Sequence, residues 1–167
     1  MSAFISRRLS AWFVVGVALR LVAAAALAVD AYTHADLVAR YDPNQGSAAL
    51  SQGDLFRIEA GVAAFAALLL ILSARRLVWA FAVLVAASAL GAILFYRYYD
   101  PGVLGPLPDM YEPIWFPEKA TAAVAEAAAL VAAVAGGVIA PRNQTERDVR
   151  TTDGARTPHR MRSGSWR

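Results

Sequence analysis

Cysteine is absent from this chain. Disulfides, thiolate metal centres and cysteine nucleophiles are therefore excluded, and cysteine usage gives no indication of redox compartment. Histidine is scarce, with His34 and His159 the only two. Lysine is scarcer still, with Lys119 alone among fifteen arginines. Charge as a whole is thin: 17% of residues carry it, against roughly 25% in an average soluble domain. No phosphate-cradling glycine loop, dinucleotide-binding glycine pattern, HExxH pair or nucleophile elbow is present. The sequence thus gives no positive reason to expect an enzyme. The metal reading is equally thin. Asp30, His34 and Asp36 are close in sequence, and Asp30 and His34 share a helical face. One imidazole without a further ligand set reads as a solvated helix end, so no metal site is expected.

What the chain has is apolar length. Hydrophobic residues make up 58% of it, and they fall in four windows, 9–29, 55–74, 77–98 and 118–140. Each approaches the ~20 residues that a bilayer-crossing helix requires. Backbone polar groups in lipid must be satisfied within the element itself, so each window is read as a helix. The expected fold is all-α, an antiparallel bundle of four transmembrane helices over residues 1–141. Residues 142–167 follow as a basic tail with seven arginines and three acids. That tail lacks apolar periodicity and reads as disordered.

Arginine placement sets the direction. Arg7 and Arg8 precede the first window, Arg75 and Arg76 lie between the second and third, and Arg142, Arg147 and Arg150 follow the fourth. The other side carries Asp36, Asp42, Asp54, Asp100, Asp109 and Glu112. The expectation is a multi-pass plasma-membrane protein with both termini cytoplasmic. Its partner is the bilayer, and a protein of a membrane complex is a further candidate. Tail arginines beside a membrane read as contacts to anionic lipid, not as a nucleic-acid surface. An alternative concerns the N-terminus: Arg7-Arg8, an apolar run and Ala26–Ala28 also have the form of a cleavable secretory signal. Cleavage would leave three spans in the same orientation.

Ionisable residues inside the windows are the candidate site. Arg20 lies near the middle of the first, where a charge costs about 2.5–3.5 kcal/mol on insertion scales. Glu126 lies about two turns into the fourth. Counting residues puts Arg20 and Glu126 at similar depths, so an intramembrane pair is expected, with Glu59 as a third member. Its reading is a register-fixing contact, an ion or proton relay, or a polar pocket for a quinone or lipid headgroup. In the fourth window small residues recur four apart at Ala129, Ala133 and Gly137 and at Ala132, Gly136 and Ala140. Such faces suit close helix packing, within the bundle or between copies.

The connection over 99–119 is the stiffest and most acidic part of the chain. It holds five of the eight prolines. Each fixes a backbone dihedral and lacks an N–H to satisfy. The expectation is an ordered external cap in which Trp115 and Phe116 fold onto the bundle mouth and Asp109 and Glu112 face water. Tyr99 and Tyr111 sit at headgroup depth. The first connection, with Tyr41, Asp42 and Pro43, is expected beside it.

The chain resembles small four-helix membrane proteins of actinobacteria and, more distantly, the DoxX-like family. The resemblance rests on "ALRLVAAAALAV" with its arginine, "IEAGVAAFAALLLILSARRL" with its opening glutamate and basic turn, and the small-residue end "AGGVIAPR". It implies a four-helix bundle and, as in some DoxX relatives, quinone-linked redox chemistry. The proline-rich connection lies outside that pattern, so the fold is carried over and not an activity. The leading function is a non-enzymatic membrane component that binds a partner or lipid. The alternative is a DoxX-like quinone- or lipid-binding redox subunit. Quinone is the one cofactor that the resemblance admits.

Overall fold

The computed structural model describes residues 2–140, with side chains from Trp12 onward; the tail expected over 142–167 lies outside the described residues. Four helices make up most of it: α1 (Ser2–Tyr41), α2 (Gln52–Leu72), α3 (Arg76–Tyr98) and α4 (Pro117–Ile139). All four are long and apolar enough to cross a membrane. The chain is a multi-pass membrane protein with an all-helical bundle, as its apolar windows predict.

The distribution of side-chain size follows from lipid as solvent. Buried positions are mostly alanine, among them Ala23, Ala63, Ala82 and Ala133. Large side chains point outward: Leu72, Leu77 and Val138 are all at least 70% exposed. Apolar residues gain little by leaving lipid, so packing rests on close approach of backbones, which small residues permit. The small-residue face of α4 is spent this way within the chain. Ala129, Ala132, Ala133 and Gly136 are buried against the other helices.

Trp79 of α3 is the large exception. It is 3% exposed and its indole lies flat over Gly136, with its Cβ side near Gly137. A Cβ at Gly136 would overlap the ring. At the same end Arg76 donates from Nε and Nη2 to the carbonyl of Ala140, at 3.2 and 3.0 Å. That carbonyl belongs to the open end of α4, so α3 caps α4 where sequence offers α4 no cap of its own.

At the other end lie the two long connections. Ser51 and Asp54 form a reciprocal capping box that starts α2, and Arg57 reaches both Asp42 at 2.6 Å and Asp54 at 2.8 Å. Pro117 occupies the first turn of α4, where its missing N–H costs nothing. The proline-rich connection is ordered through backbone bonds rather than a sheet. Leu104 and Leu107 exchange two hydrogen bonds around Gly105, whose φ of 58° is left-handed. The two connections are tied together, as expected. Leu50 N–H donates to Pro106 O at 3.1 Å, and Asn44 Nδ2 donates to Asp109 O at 3.2 Å. Glu112 N–H donates to Tyr96 O of α3 at 3.1 Å.

The first helix departs from expectation in length. It runs unbroken past 29 to Tyr41, about twelve residues or 18 Å further. The reason is visible in its buried face: Ala23, Leu27, Ala31, His34 and Leu37 continue one stripe at three- and four-residue spacing. The apolar window by itself ends at Val29, before the first acid of the chain, Asp30. Asp30 faces the core instead.

Candidate functional site: a buried acid–histidine cluster beneath a capped cavity

Asp30 and Glu126 are each 0% exposed, and His34 is buried with them. His34 Nδ1 stands 2.8 Å from Asp30 Oδ1 and 3.2 Å from Asp30 O. The i,i+4 spacing on α1 brings them together, and α4 carries Glu126 to the same place. One donor atom from each of Asp30, His34 and Glu126 lies within 4.8 Å of the other two. Both carboxylate oxygens of Glu126, Asp30 Oδ2 and Glu59 Oε1 have no hydrogen-bond partner among the described residues. Glu59, on α2, is half-buried and within electrostatic range of Asp30 and Glu126.

Two expectations bear on this arrangement. The first is the pairing of Arg20 with Glu126. Among the described residues the ion pairs are His34–Asp30, Arg57–Asp42 and Arg57–Asp54, and none includes Arg20. Arg20 is ten residues before Asp30 on α1, about 15 Å along the axis, and its Nε has no partner. Because α1 continues to Tyr41, the level of Glu126 is met by Asp30. Glu126 lies about 14 Å in from the start of α4 and Asp30 about 17 Å in from the end of α1. The second is the solvated helix end at Asp30, His34 and Asp36. Asp36 is exposed, but Asp30 and His34 are core residues. The third ligand-type side chain comes from a distant helix, a partnership that local spacing cannot show.

Above the cluster, toward the loop end, is a cavity of about 340 Å³. His34 and Glu59 belong to its wall, so it borders the cluster. Leu37, Leu55, Phe56 and Ile93 make much of the wall apolar, while Leu107, Met110 and Phe116 come from the proline-rich connection. Tyr41, Gln52, Tyr96 and Lys119 add polar groups. The Lys119 ammonium is buried and donates to Glu112 O. Two lining residues, Ile58 of α2 and Ala92 of α3, are also exposed on the flank of the bundle. These two residues flank the seam between α2 and α3, which pack against each other most lightly of the adjacent helices.

The expected cap is present with only one of its two rings turned inward. Phe116 lines the cavity, but Trp115 is 41% exposed at its edge, with Arg97 and Lys119 near its ring at 5.9 and 5.8 Å. The inward positions go to Leu107, Met110 and the fully buried Pro108. Tyr99, Asp109 and Tyr111 are exposed. Glu112 is not turned fully to water. It is half-buried on the cavity wall, because its backbone is drawn in by Tyr96 and Lys119. Sequence reasoning passed over Lys119, although a single lysine among fifteen arginines was a usable signal.

Compared with known proteins, the chain matches no family, no curated protein and no solved structure.

Proposed function

We propose that this chain is a plasma-membrane binding protein that takes an amphiphile of lipid or quinone type into its cavity from the surrounding leaflet. The observation that carries this reading is the cavity's polarity and its place beside the seam between α2 and α3. A volume of about 340 Å³ falls within the ~300–1,000 Å³ of small-molecule sites, which are mostly apolar with a few placed polar groups. Entry of an acyl or isoprenoid chain from lipid would run through the lightly packed seam between α2 and α3, beside the exposed lining residues Ile58 and Ala92. His34, Gln52, Tyr96 and Lys119 offer donors for a compact head bearing carbonyl or phosphate oxygens. The arginine bias supports an orientation with the connections outside and the termini cytoplasmic. No step of chemistry is assigned to the chain in this reading. A DoxX-like redox role would require quinone as the occupant.

The test is isolation of the full chain in polymer-bounded native bilayer discs, followed by mass spectrometry of its small molecules. A lipid or quinone enriched over the bulk membrane, and depleted in Ala92→Trp, supports the reading; the tryptophan would obstruct the seam from an exposed position. Recovery of a quinone selects the redox subunit, and recovery of a phospholipid selects the lipid-binding component. No enrichment, with Ala92→Trp unchanged from the parent, overturns it. Recovery of a protein in place of an amphiphile would move the function to the exposed cap, where Tyr99, Asp109, Tyr111 and Trp115 are accessible.

A further inference from the structure

We propose that Asp30, His34 and Glu126 form a binding site for a divalent first-row transition-metal ion, of which Zn²⁺ and Co²⁺ are suitable probes. The inference is independent of what fills the cavity.

Two observations carry it. The first is the donor set. An imidazole nitrogen and two carboxylate oxygens from two helices come within 4.8 Å of one another. Donors about 2.0–2.2 Å from one Zn²⁺ sit roughly 3.3 Å apart in a tetrahedral shell. The His34–Asp30 separation is 2.8 Å and Glu126 comes within 4.8 Å of both, so shifts of about an ångström or two would bring the donors to that spacing. The second is the unpartnered carboxylate of Glu126. It is fully buried with no nitrogen or hydroxyl donor of the described residues on either oxygen, and it lies against the carboxylate of Asp30. A buried carboxylate without partners is costly, and such charges are normally paired or bound to metal. Among the described residues no arginine or lysine forms an ion pair with Glu126, Arg20 being about three turns away along α1, and the imidazole of His34 is the one basic group in the cluster. A divalent cation would neutralise the two carboxylates of Asp30 and Glu126 together.

The chemistry narrows the ion. One imidazole with carboxylates suits borderline ions such as Zn²⁺, Co²⁺ and Fe²⁺, whereas an all-oxygen shell would suit Mg²⁺, Mn²⁺ or Ca²⁺. Three protein donors leave a four-coordinate shell incomplete. Glu59, on the cavity wall with a free Oε1, is placed to supply the fourth or to leave it to a molecule in the cavity. The cavity is also the entry path, since His34 and Glu59 both border it.

The experiment uses the full chain carrying an affinity tag without histidine, stripped with chelator and titrated with Co²⁺ by visible absorption, then with Zn²⁺ as competitor. The expected result is one Co²⁺ per chain, with bands displaced by Zn²⁺. Glu126→Gln and Asp30→Asn should each weaken binding about tenfold or more, while His159→Asn should leave it unchanged. Glu126→Gln keeps the side-chain volume and removes a buried charge, so it is the variant expected to fold, with helicity checked by circular dichroism. Should both cluster variants unfold, detection of a single coordinating imidazole by pulsed paramagnetic resonance on the parent decides, since only His34 and His159 exist and His159→Asn removes the other. A helical parent that binds neither ion overturns the proposal. Binding that survives in both folded variants, or that disappears in His159→Asn, does so as well.

Discussion

Gly136 of α4 and Trp79 of α3 occupy one another's space: the indole lies where a Cβ of residue 136 would be. Gly136→Ala should therefore force the ring or the helix aside and cost about 1–3 kcal/mol. Trp79→Ala should cost about 3–5 kcal/mol through the void it leaves. Combining Trp79→Ala with Gly136→Ala should recover part of the loss, because the added methyl then meets no ring. Thermal unfolding in detergent reads all three. A double variant no better than the sum of the singles would separate the two residues.

Charge coupling within the bundle gives a second expectation. Asp30 and Glu126 share one buried site, so Asp30→Asn and Glu126→Gln should be non-additive by about 0.5–3 kcal/mol. Arg20→Leu and Glu126→Gln should add to within about 0.5 kcal/mol, as distant sites do. A double-mutant cycle on stability distinguishes the two cases. Strong coupling of Arg20 with Glu126 would restore the pairing that the sequence alone implies.

The natural absence of cysteine makes accessibility measurements clean. Single cysteines at exposed Ser47 and Asp109 should react with an impermeant maleimide added outside intact cells. One at exposed Ala74, in the short turn between α2 and α3, should react only after lysis. The reverse pattern would invert the orientation drawn from the arginines.

Asn44 joins the two connections, donating to Gln52 Oε1 at 2.5 Å and to Asp109 O at 3.2 Å. Asn44→Ala should loosen the cap at a cost of about 1 kcal/mol for the lost hydrogen bonding. Limited proteolysis within 99–116 should accelerate while the helices stay intact. Rapid cleavage of the parent at the same place would show that prolines and backbone bonds do not hold the cap.

Legibility followed the range of the interactions. The helices were readable because apolar length is a local property, and α2, α3 and α4 begin and end within a few residues of their expected windows. The cap's order was readable from Pro101, Pro106, Pro108, Pro113 and Pro117, since proline acts on its own backbone. The end of α1 was not, because Asp30 is polar and its burial is decided by α4. The cluster failed for the same reason. His34 and Glu126 are separated by most of the chain, and depth counted from a misplaced helix end matched Glu126 with Arg20. As an apolar ring Trp115 is expected on the bundle mouth, but the path of the loop gives the inward positions to Pro108 and Met110.

The light packing between α2 and α3 has a consequence for handling the protein. If an acyl chain enters through this seam, as proposed, a detergent tail enters equally well. Solubilisation at high micelle concentration would then exchange whatever the cavity holds, and a purified sample would carry the extraction agent in its place. Detergents with bulky, rigid hydrophobic groups, which fit poorly between Ile58 and Ala92, should preserve the native occupant longest.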